Sequence, residues 1–405
     1  MTRTRLFALL LVSIALVAPS LAEASQAAAT SLEINHRTGY DAWHARRGRD
    51  ARTRLAVRHS QPAQFTIIDA PGAQRTYVVA VNSSSVSSGF FFDGNGDSHG
   101  FLRAPDGTFT IFDAEGPHGQ TQSWWMNDEG EVTGTCLDPN SGALIGFKRS
   151  PAGKIATFTG SAGGSGVLAV YSLNRFGEIV GDSYDSSKVE HAFFRLKNGT
   201  TVQFDAPGAK SGATTAFDIN TPGTITGPFA DSTGYHSYLR FADGTFTVFD
   251  VPGASETEAI GINKFNWVTG TYSDSSGVTH GFVRDAQGNI TTFDAPDVGP
   301  RGPTWPIELN SHGQVTGHFA DANDVIHGFV RARSGSVVEF DAPSSGSTST
   351  VATIPYDINQ YGVIAGWDQD DSGAVHGFLR TPNEAQRWQA RRRGIRAHGI
   401  GASPP

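Results

Sequence analysis

The chain has 405 residues, of which 38% are hydrophobic and 48 are glycine, so it can bury a large core in a fold with many tight turns. Residues 63–381 hold 34 acidic and 17 basic side chains. Such a negatively charged body repels polyanions, which excludes nucleic acid as an expected partner. The single cysteine, Cys136, excludes an intramolecular disulfide.

The first 24 residues have the features of a secretory signal peptide. Two early arginines precede an apolar run from Leu6 to Ala18, and the small-x-small pattern Ala22-Glu23-Ala24 follows. This run is shorter than the roughly 20 residues that span a bilayer. We therefore expect a mature chain that begins at Ser25 and is secreted or periplasmic, with no transmembrane segment.

Basic segments flank the acidic body. Seven arginines lie between Arg37 and Arg58, and five lie between Arg387 and Arg396. We interpret residues 25–62 as a disordered basic linker and residues 382–405 as a basic tail. Solvated tails are the simplest interpretation, and contact with an anionic membrane or cell-wall polymer is the alternative.

One unit of about 45 residues recurs seven times within residues 63–381. Its most regular part is a tetrapeptide of the form Gly-Phe-x-Arg, and successive copies are 44 to 49 residues apart. Upstream of each copy, an Asn is followed seven residues later by a Gly. A third segment, Phe-Asp-Ala-Pro-Gly or a variant, lies between tetrapeptides. The tetrapeptides begin at Gly100, Gly146, Ala192, Ser237, Gly281, Gly328 and Gly377, and the asparagines are Asn82, Asn127, Asn174, Asn220, Asn263, Asn310 and Asn359.

Each unit contains four short runs of β-branched and aromatic residues, bounded by Gly, Pro, Asn or Asp. In the fourth unit these runs are Thr214–Ile219, Thr224–Phe229, His236–Arg240 and Thr245–Phe249. The joins contain Gly, Asn and Asp, which favour tight turns. Four antiparallel strands at this period predict one blade of a β-propeller, in an all-β fold.

The ends of the array predict how the ring closes. The array begins with a fourth strand, Phe65–Asp69, and stops after a third, His376–Arg380. We therefore predict a seven-bladed β-propeller of four-stranded blades in which the N-terminal strand completes the last blade, a 1+3 closure. Such pairing would remove exposed sheet edges. An open solenoid is the alternative, and it would not require an array that begins with a fourth strand and ends with a third.

The repeats resemble those of a known family. His191-Ala192-Phe193, and the His-Gly-Phe triplets that begin at His99, His280, His327 and His376, are similar to the repeats of the bacterial extracellular HAF-repeat family. The resemblance extends over residues 65–380 and implies an exported β-propeller-like protein. It implies no activity, substrate or catalytic residue. Two local departures are Ile145, where His is expected, and Thr159, near which the aspartate is missing.

The turns after Phe-Asp and the Asp-containing turns between second and third strands are expected to share one acidic rim. Within it, Asp93, Asn95 and Asp97 have the alternating spacing of a calcium loop, without the distal glutamate of an EF-hand. They are candidate metal ligands, and Ca²⁺ is the one cofactor suggested. The alternative is structural, because Asp opens turns by bonding the backbone two residues on.

Six units place a His directly before the tetrapeptide. A catalytic His is normally unique, so a repeated one predicts a repeated structural hydrogen bond. The tetrapeptide arginines have the same interpretation, and the recurrent aspartates are their candidate partners.

Aromatic residues that interrupt the repeat are the ligand-binding candidates. Trp124 and Trp125 replace small or aliphatic residues in a first strand, Trp305 does so in the sixth unit, and Tyr171 and Tyr356 occupy comparable places. The packing of an array does not require such irregular residues. Aromatic side chains at the mouth of a ring can stack on sugars or anchor a protein. Ordinary packing between blades is the alternative.

Three functions are compatible with these residues. The preferred one is a non-enzymatic binding or scaffold propeller that engages carbohydrate or an envelope protein. The second is a metal-assisted hydrolase or lyase that acts on polysaccharide or lactone through rim carboxylates, for which no catalytic residue can be named. The third is a purely structural exported protein. The sequence contains no nucleophile elbow, phosphate loop or metalloprotease helix motif.

Overall fold

The structure is a computed structural model that describes residues 63–383, apart from residues 117, 161–166, 168, 188, 211, 301 and 344–349. The expected signal peptide, the basic linker up to residue 62 and the tail from residue 384 lie outside the described residues. Within the described part, all regular structure is β, in 28 strands and no helix. The all-β prediction is confirmed.

The strands form seven groups of four antiparallel strands, here called units 1 to 7. Unit 1 comprises β2 (Arg75–Val81), β3 (Ser87–Phe92), β4 (Ser98–Arg103) and β5 (Phe109–Phe112), and it is preceded in the chain by β1 (Gln64–Ile68). Unit 2 comprises β6 (Gln122–Met126), β7 (Val132–Leu137), β8 (Leu144–Arg149) and β9 (Ile155–Phe158). Unit 3 comprises β10 (Ala169–Leu173), β11 (Ile179–Tyr184), β12 (Glu190–Arg195) and β13 (Thr201–Phe204). Unit 4 comprises β14 (Asp218–Ile219), β15 (Ile225–Ala230), β16 (Tyr235–Arg240) and β17 (Phe246–Phe249).

The remaining units follow the same order. Unit 5 comprises β18 (Glu256–Ile262), β19 (Val268–Ser273), β20 (Thr279–Arg284) and β21 (Ile290–Phe293). Unit 6 comprises β22 (Thr304–Leu309), β23 (Val315–Ala320), β24 (Ile326–Arg331) and β25 (Val337–Phe340). Unit 7 comprises β26 (Thr350–Ile358), β27 (Ile364–Asp370), β28 (Val375–Thr381) and, by pairing, β1. Units 2 to 5 are separate sheets, whereas units 6, 7 and 1 join into a twelve-stranded sheet.

The first strand of the chain pairs with the last. β1 runs antiparallel to β28, from Gln64 opposite Thr381 to Ile68 opposite Gly377. Phe65 and Ile67 of β1 pack against a buried cluster of unit 7 that contains Phe378. β1 therefore occupies the place of a fourth strand in unit 7.

Six interfaces between units contain a phenylalanine from the end of a fourth strand. Phe112, at the end of β5, meets the edge of Phe147 in unit 2 at 5.9 Å, and the Arg149 guanidinium lies over the same ring at 5.0 Å. Six of the seven tetrapeptide arginines thus stack on aromatic rings of the preceding unit, which is a cation–π contact rather than the expected pairing with aspartate. The equivalent pairs are Arg195 over Phe158, Arg240 over Phe204, Arg284 over Phe249, Arg331 over Phe293 and Arg380 over Phe340. At the seventh interface, Ile68 of β1 takes the place of the phenylalanine.

The recurrent asparagines connect neighbouring units. In unit 2, Asn127 Oδ1 accepts the backbone N–H groups of Glu129 and Glu131 and so closes its own turn. Its Nδ2 donates to the backbone oxygen of Asn174 in unit 3 at 3.0 Å. The same bond, at 2.9 to 3.2 Å, recurs from Asn174 to Asn220, Asn220 to Asn263, Asn263 to Asn310, Asn310 to Asn359 and Asn359 to Asn82. The last of these bonds joins unit 7 to unit 1.

We predict that Asn263→Ala lowers the free energy of unfolding by about 2–3 kcal/mol, because it removes two bonds within the turn and one bond to the next unit. The control is Asn198→Ala, since the exposed Asn198 accepts one hydrogen bond within its own turn, from Thr200. We expect this control to lose less than about 1 kcal/mol. Urea unfolding compares the two, and equal losses would contradict a role for the link between units.

Candidate functional site

The first strand of each unit bulges three residues before its asparagine. In unit 3, Val170 pairs with Gly181 and Ser172 pairs with Val180, so Tyr171 is left unpaired. The same one-residue shift in pairing between first and second strands occurs in units 1, 2, 5, 6 and 7. In unit 4, the strand pairs on either side of Phe217 also differ by one residue in register. A bulge redirects the side chain of the extra residue. These seven residues, here called the bulge set, are Val79, Trp124, Tyr171, Phe217, Ile260, Ile307 and Tyr356.

A recurrent glycine faces each bulge. The glycine seven residues after each Asn lies so close to the first strand that an added Cβ would overlap a carbonyl oxygen there, as at Gly134 against Gln122 and Gly270 against Glu258. The Asn-to-Gly spacing seen in the sequence therefore reflects this close approach of two backbones.

The bulge set differs from the rest of the first strands in its exposure. Five of its members keep accessible surface, although most of the residues beside them in the strands are buried; these five are Trp124, Tyr171, Ile260, Ile307 and Tyr356. Tyr171 and Tyr356 belong to units 3 and 7, which are not neighbours. Burial, with smaller contributions from the charges of Asp182 and Glu190, raises the pKa of Tyr171 well above its ordinary value.

A buried carboxyl group supports Tyr171. The Tyr171 hydroxyl donates to Asp182 Oδ2 at 3.2 Å, and the backbone N–H of Ala216 in unit 4 donates to Asp182 Oδ1. Burial, with a contribution from the charge of Glu190, raises the pKa of Asp182 well above its ordinary value. The bulge set thus has a hydrogen-bonding carboxyl group beside its aromatic surface.

Trp124 and Tyr356 belong to one aromatic cluster. Both pack against a buried group that includes Tyr77 and Phe90, and the Trp124 ring meets Phe90 edge-on at 5.1 Å. Trp124 Nε1 also donates to Thr135 at 3.3 Å. Three of the five ligand-binding candidates, Trp124, Tyr171 and Tyr356, are therefore members of the bulge set.

The other two candidates lie elsewhere. Trp125 packs against the cluster of Phe158 and Phe193 between units 2 and 3. Trp305 stacks at 5.0 Å on His318, the residue opposite it on β23. The structure therefore does not bring Trp125 or Trp305 into the bulge set.

Three buried carboxyl groups directly follow bulge residues, and they are not among the site residues predicted from the sequence. Burial raises the pKa of Asp218 to about 6 and that of Asp357 to about 7. Burial and then repulsion from these two raise the pKa of Glu308 well above its ordinary value. Each of the two aspartates accepts a hydrogen bond from the following unit. The backbone N–H of Ile262 donates to Asp218 at 2.8 Å, and that of Val81 donates to Asp357 at 2.7 Å. An acidic residue two positions before the recurrent Asn was the available signal.

The opposite end of the units forms the acidic rim that the sequence predicted. His236 lies between Asp250 of the Phe-Asp turn, 2.9 Å from Nδ1, and Asp231 of the hairpin, 3.2 Å from Nε2. Desolvation alone would lower the pKa of His236, but these two aspartates raise it overall. In unit 7, His376 lies 2.7 Å from Asp69 at the end of β1. The recurrent histidines thus tie two turns together, as expected for a structural role.

The candidate calcium ligands are engaged within their own hairpin. Asp93 Oδ1 accepts the backbone N–H groups of Asn95 and Asp97, and Asn95 Nδ2 donates to Asp93 Oδ2. Asp97 contacts His118 at 2.7 Å and Gln120 at 2.8 Å. Among the residues that the structure describes, no group of three or more His, Cys, Asp or Glu side chains is arranged to hold a metal ion. Calcium binding stays a prediction.

Comparison with known proteins identifies the fold. No family model matches the sequence, and no curated protein is significantly similar to it. The β-propeller domain of the trilobed protease from Pyrococcus furiosus superimposes with a TM-score of 0.53 at 6% identity, over 76% of this chain and 97% of that one. The fold is a β-propeller. The propeller also resembles virginiamycin B lyase from Staphylococcus aureus, with a TM-score of 0.50 and 12% identity over 79% of this chain and all of that one.

At such low identity these similarities show the fold alone. A lectin from Burkholderia pseudomallei superimposes less well, with a TM-score of 0.45 at 13% identity over 77% of this chain and 98% of that one. Within its described part, the propeller has no helix with the length and apolar character needed to cross a membrane.

We predict that the stability of the propeller falls as the pH rises from 5 to 8. A carboxyl group with a raised pKa stays protonated in the folded state at a pH where the unfolded chain has already released its proton. Its contribution to the free energy of unfolding is therefore lost as the pH rises through the pKa of the folded state, which is about 7 for Asp357. Asp357→Asn removes this loss, so the variant is more stable than the parent at pH 8 and its pH dependence is flatter.

The matched control is Asp274→Asn. Its exposed carboxyl group has a pKa lowered to about 2, chiefly by hydrogen bonds from Ser276, so it is ionised in both states across this range. Urea unfolding at several pH values between 5 and 8 measures both variants. The other buried carboxyl groups keep part of the pH dependence in Asp357→Asn, so a slope equal to that of the parent would contradict the assignment.

Proposed function

We propose that the protein is an exported binding propeller whose ligand lies against the bulge set, at the centre of a ring of seven blades. The observation that supports this most directly is positional. The first strand bulges at the same place in every unit, and three of the bulge residues are the irregular aromatics Trp124, Tyr171 and Tyr356, each of which keeps accessible surface. The resemblance to HAF repeats and the N-terminal signal features support export.

Closure of the ring is part of this proposal. β1 pairs with β28, Asn359 bonds the backbone of Asn82, and the backbone N–H of Val81 bonds Asp357. Each of these contacts joins an end of the repeat array to its beginning. A closed ring gives the bulge set a defined interior, which an open solenoid would lack.

Carbohydrate is the ligand class that fits this site best. Aromatic rings stack on the apolar faces of sugars, and the buried carboxyl group of Asp182 holds the hydroxyl group of Tyr171 in place. A non-enzymatic role is favoured over the hydrolase or lyase alternative, because the rim carboxylates needed for that chemistry are occupied in His–Asp contacts.

A glycan array followed by titration of the glycans that bind tests this function. We expect Tyr171→Ala and Tyr356→Ala each to weaken binding at least tenfold, about 1.4 kcal/mol, because each removes a stacking surface. The control is Tyr272→Ala, which removes a tyrosine that stacks on His280 at the rim. Binding that survives both central substitutions, or that is lost equally in the control, would overturn the proposed site.

A further inference from the structure

Three aromatic side chains project from the face opposite the acidic rim. Phe176, Phe265 and Tyr361 each stand two residues after a recurrent Asn, and 53%, 56% and 50% of their surfaces are exposed. They belong to units 3, 5 and 7. Because the hydrogen bonds between asparagines join these turns, the three turns lie at one level.

The recurrence of this position distinguishes the three residues from isolated exposed apolar side chains, which are common on proteins. The described chain has six large hydrophobic residues that are exposed, and half of them occupy this one turn position. The other three, Ile111, Val202 and Val248, lie on fourth strands at the outer edge. The equivalent turn position in the remaining units is held by Ser84, Glu129, Pro222 and His312.

The charge beside these aromatic residues is mixed within the described chain. Arg175 precedes Phe176 and pairs with Glu129 at 2.6 Å, and Lys264 precedes Phe265 with its Nζ 5.2 Å from the ring centroid. Acidic residues of the same turns are Asp128, Glu131 and Glu178. The described chain begins and ends on this face, because Gln64 pairs with Thr381 beside the Asn-containing turns. In the sequence, one arginine-rich segment precedes this part of the chain and another follows it.

We propose that this face docks on an anionic lipid bilayer, with Phe176, Phe265 and Tyr361 entering the headgroup region. Separated aromatic side chains at one level suit a planar, fluid surface better than a single groove on a partner protein. Lys264 and the arginine-rich sequences before and after the described chain suit lipid phosphates, and apolar and electrostatic contributions together give reversible membrane binding. This docking surface is independent of the bulge set, which lies between the first strands.

Co-sedimentation of the full exported chain with vesicles tests the proposal. The vesicles contain either phosphatidylcholine alone or one part phosphatidylglycerol to two parts phosphatidylcholine. The test variant combines Phe176→Ser, Phe265→Ser and Tyr361→Ser, with serine chosen because Ser84 occupies this position in unit 1. The matched control combines Ile111→Ser, Val202→Ser and Val248→Ser, which removes exposed apolar surface elsewhere.

We expect the parent to bind anionic vesicles, to be released by high salt, and to lose affinity at least about tenfold in the test variant but not in the control. Circular dichroism and urea unfolding confirm that both variants fold. The proposal is overturned if the parent ignores anionic vesicles or if both variants lose binding equally. It is also overturned if light scattering shows that the aromatic residues mediate self-association or if binding to neutral vesicles is as strong.

Discussion

The hydrogen bond from one recurrent asparagine to the backbone of the next sets the spacing of the whole array. All seven side chains close their own turns through Oδ1, and six of them reach the neighbouring unit through Nδ2, as Asn174 does for Phe176, Glu178 and Asn220. A contribution of about 1 kcal/mol per bond is small, but the bond recurs along the array and is buried. Since the bulge lies three residues before each asparagine, the same bonds also hold the bulges of neighbouring units in register.

The packing between units solves a second problem, which is how to bury a row of arginines. A guanidinium over a phenylalanine ring gains a favourable contact without a carboxylate partner, and its N–H groups donate to backbone oxygens, as Arg149 does to Ser150. Burial lowers the pKa of the Arg149 guanidinium, and it lowers that of Arg380 to about 10. The aspartates are thereby left to pair with histidines at the rim. The acidic charge of the body is therefore concentrated at one end.

The sequence predicted the parts of this structure that are local. Strands and turns follow from short runs of β-branched and aromatic residues that are interrupted by Gly, Pro, Asn or Asp within about ten residues. The shared position of the recurrent aspartates at one rim follows from the order of the strands. The partners of Asn127, Arg149 and Asp357 depend on how one unit lies against the next, which no single unit encodes. The bulge was also hidden, because the first strands are buried on both faces, as in β2, and have no polar–apolar alternation that a one-residue shift would interrupt. That shift separates Trp124, which faces the interior, from Trp125, which packs between blades.

The most direct test of this account is whether the two ends of the array meet. Gln64→Cys and Thr381→Cys place two thiols on directly opposed residues of β1 and β28. The native Cys136 is buried, with a pKa raised to about 12, so it does not compete. Closure predicts that mild oxidation forms the disulfide in the folded monomer and raises the urea midpoint reversibly. Thiols that remain free in the folded protein, or a disulfide that forms only after unfolding, would contradict a ring closed by β1.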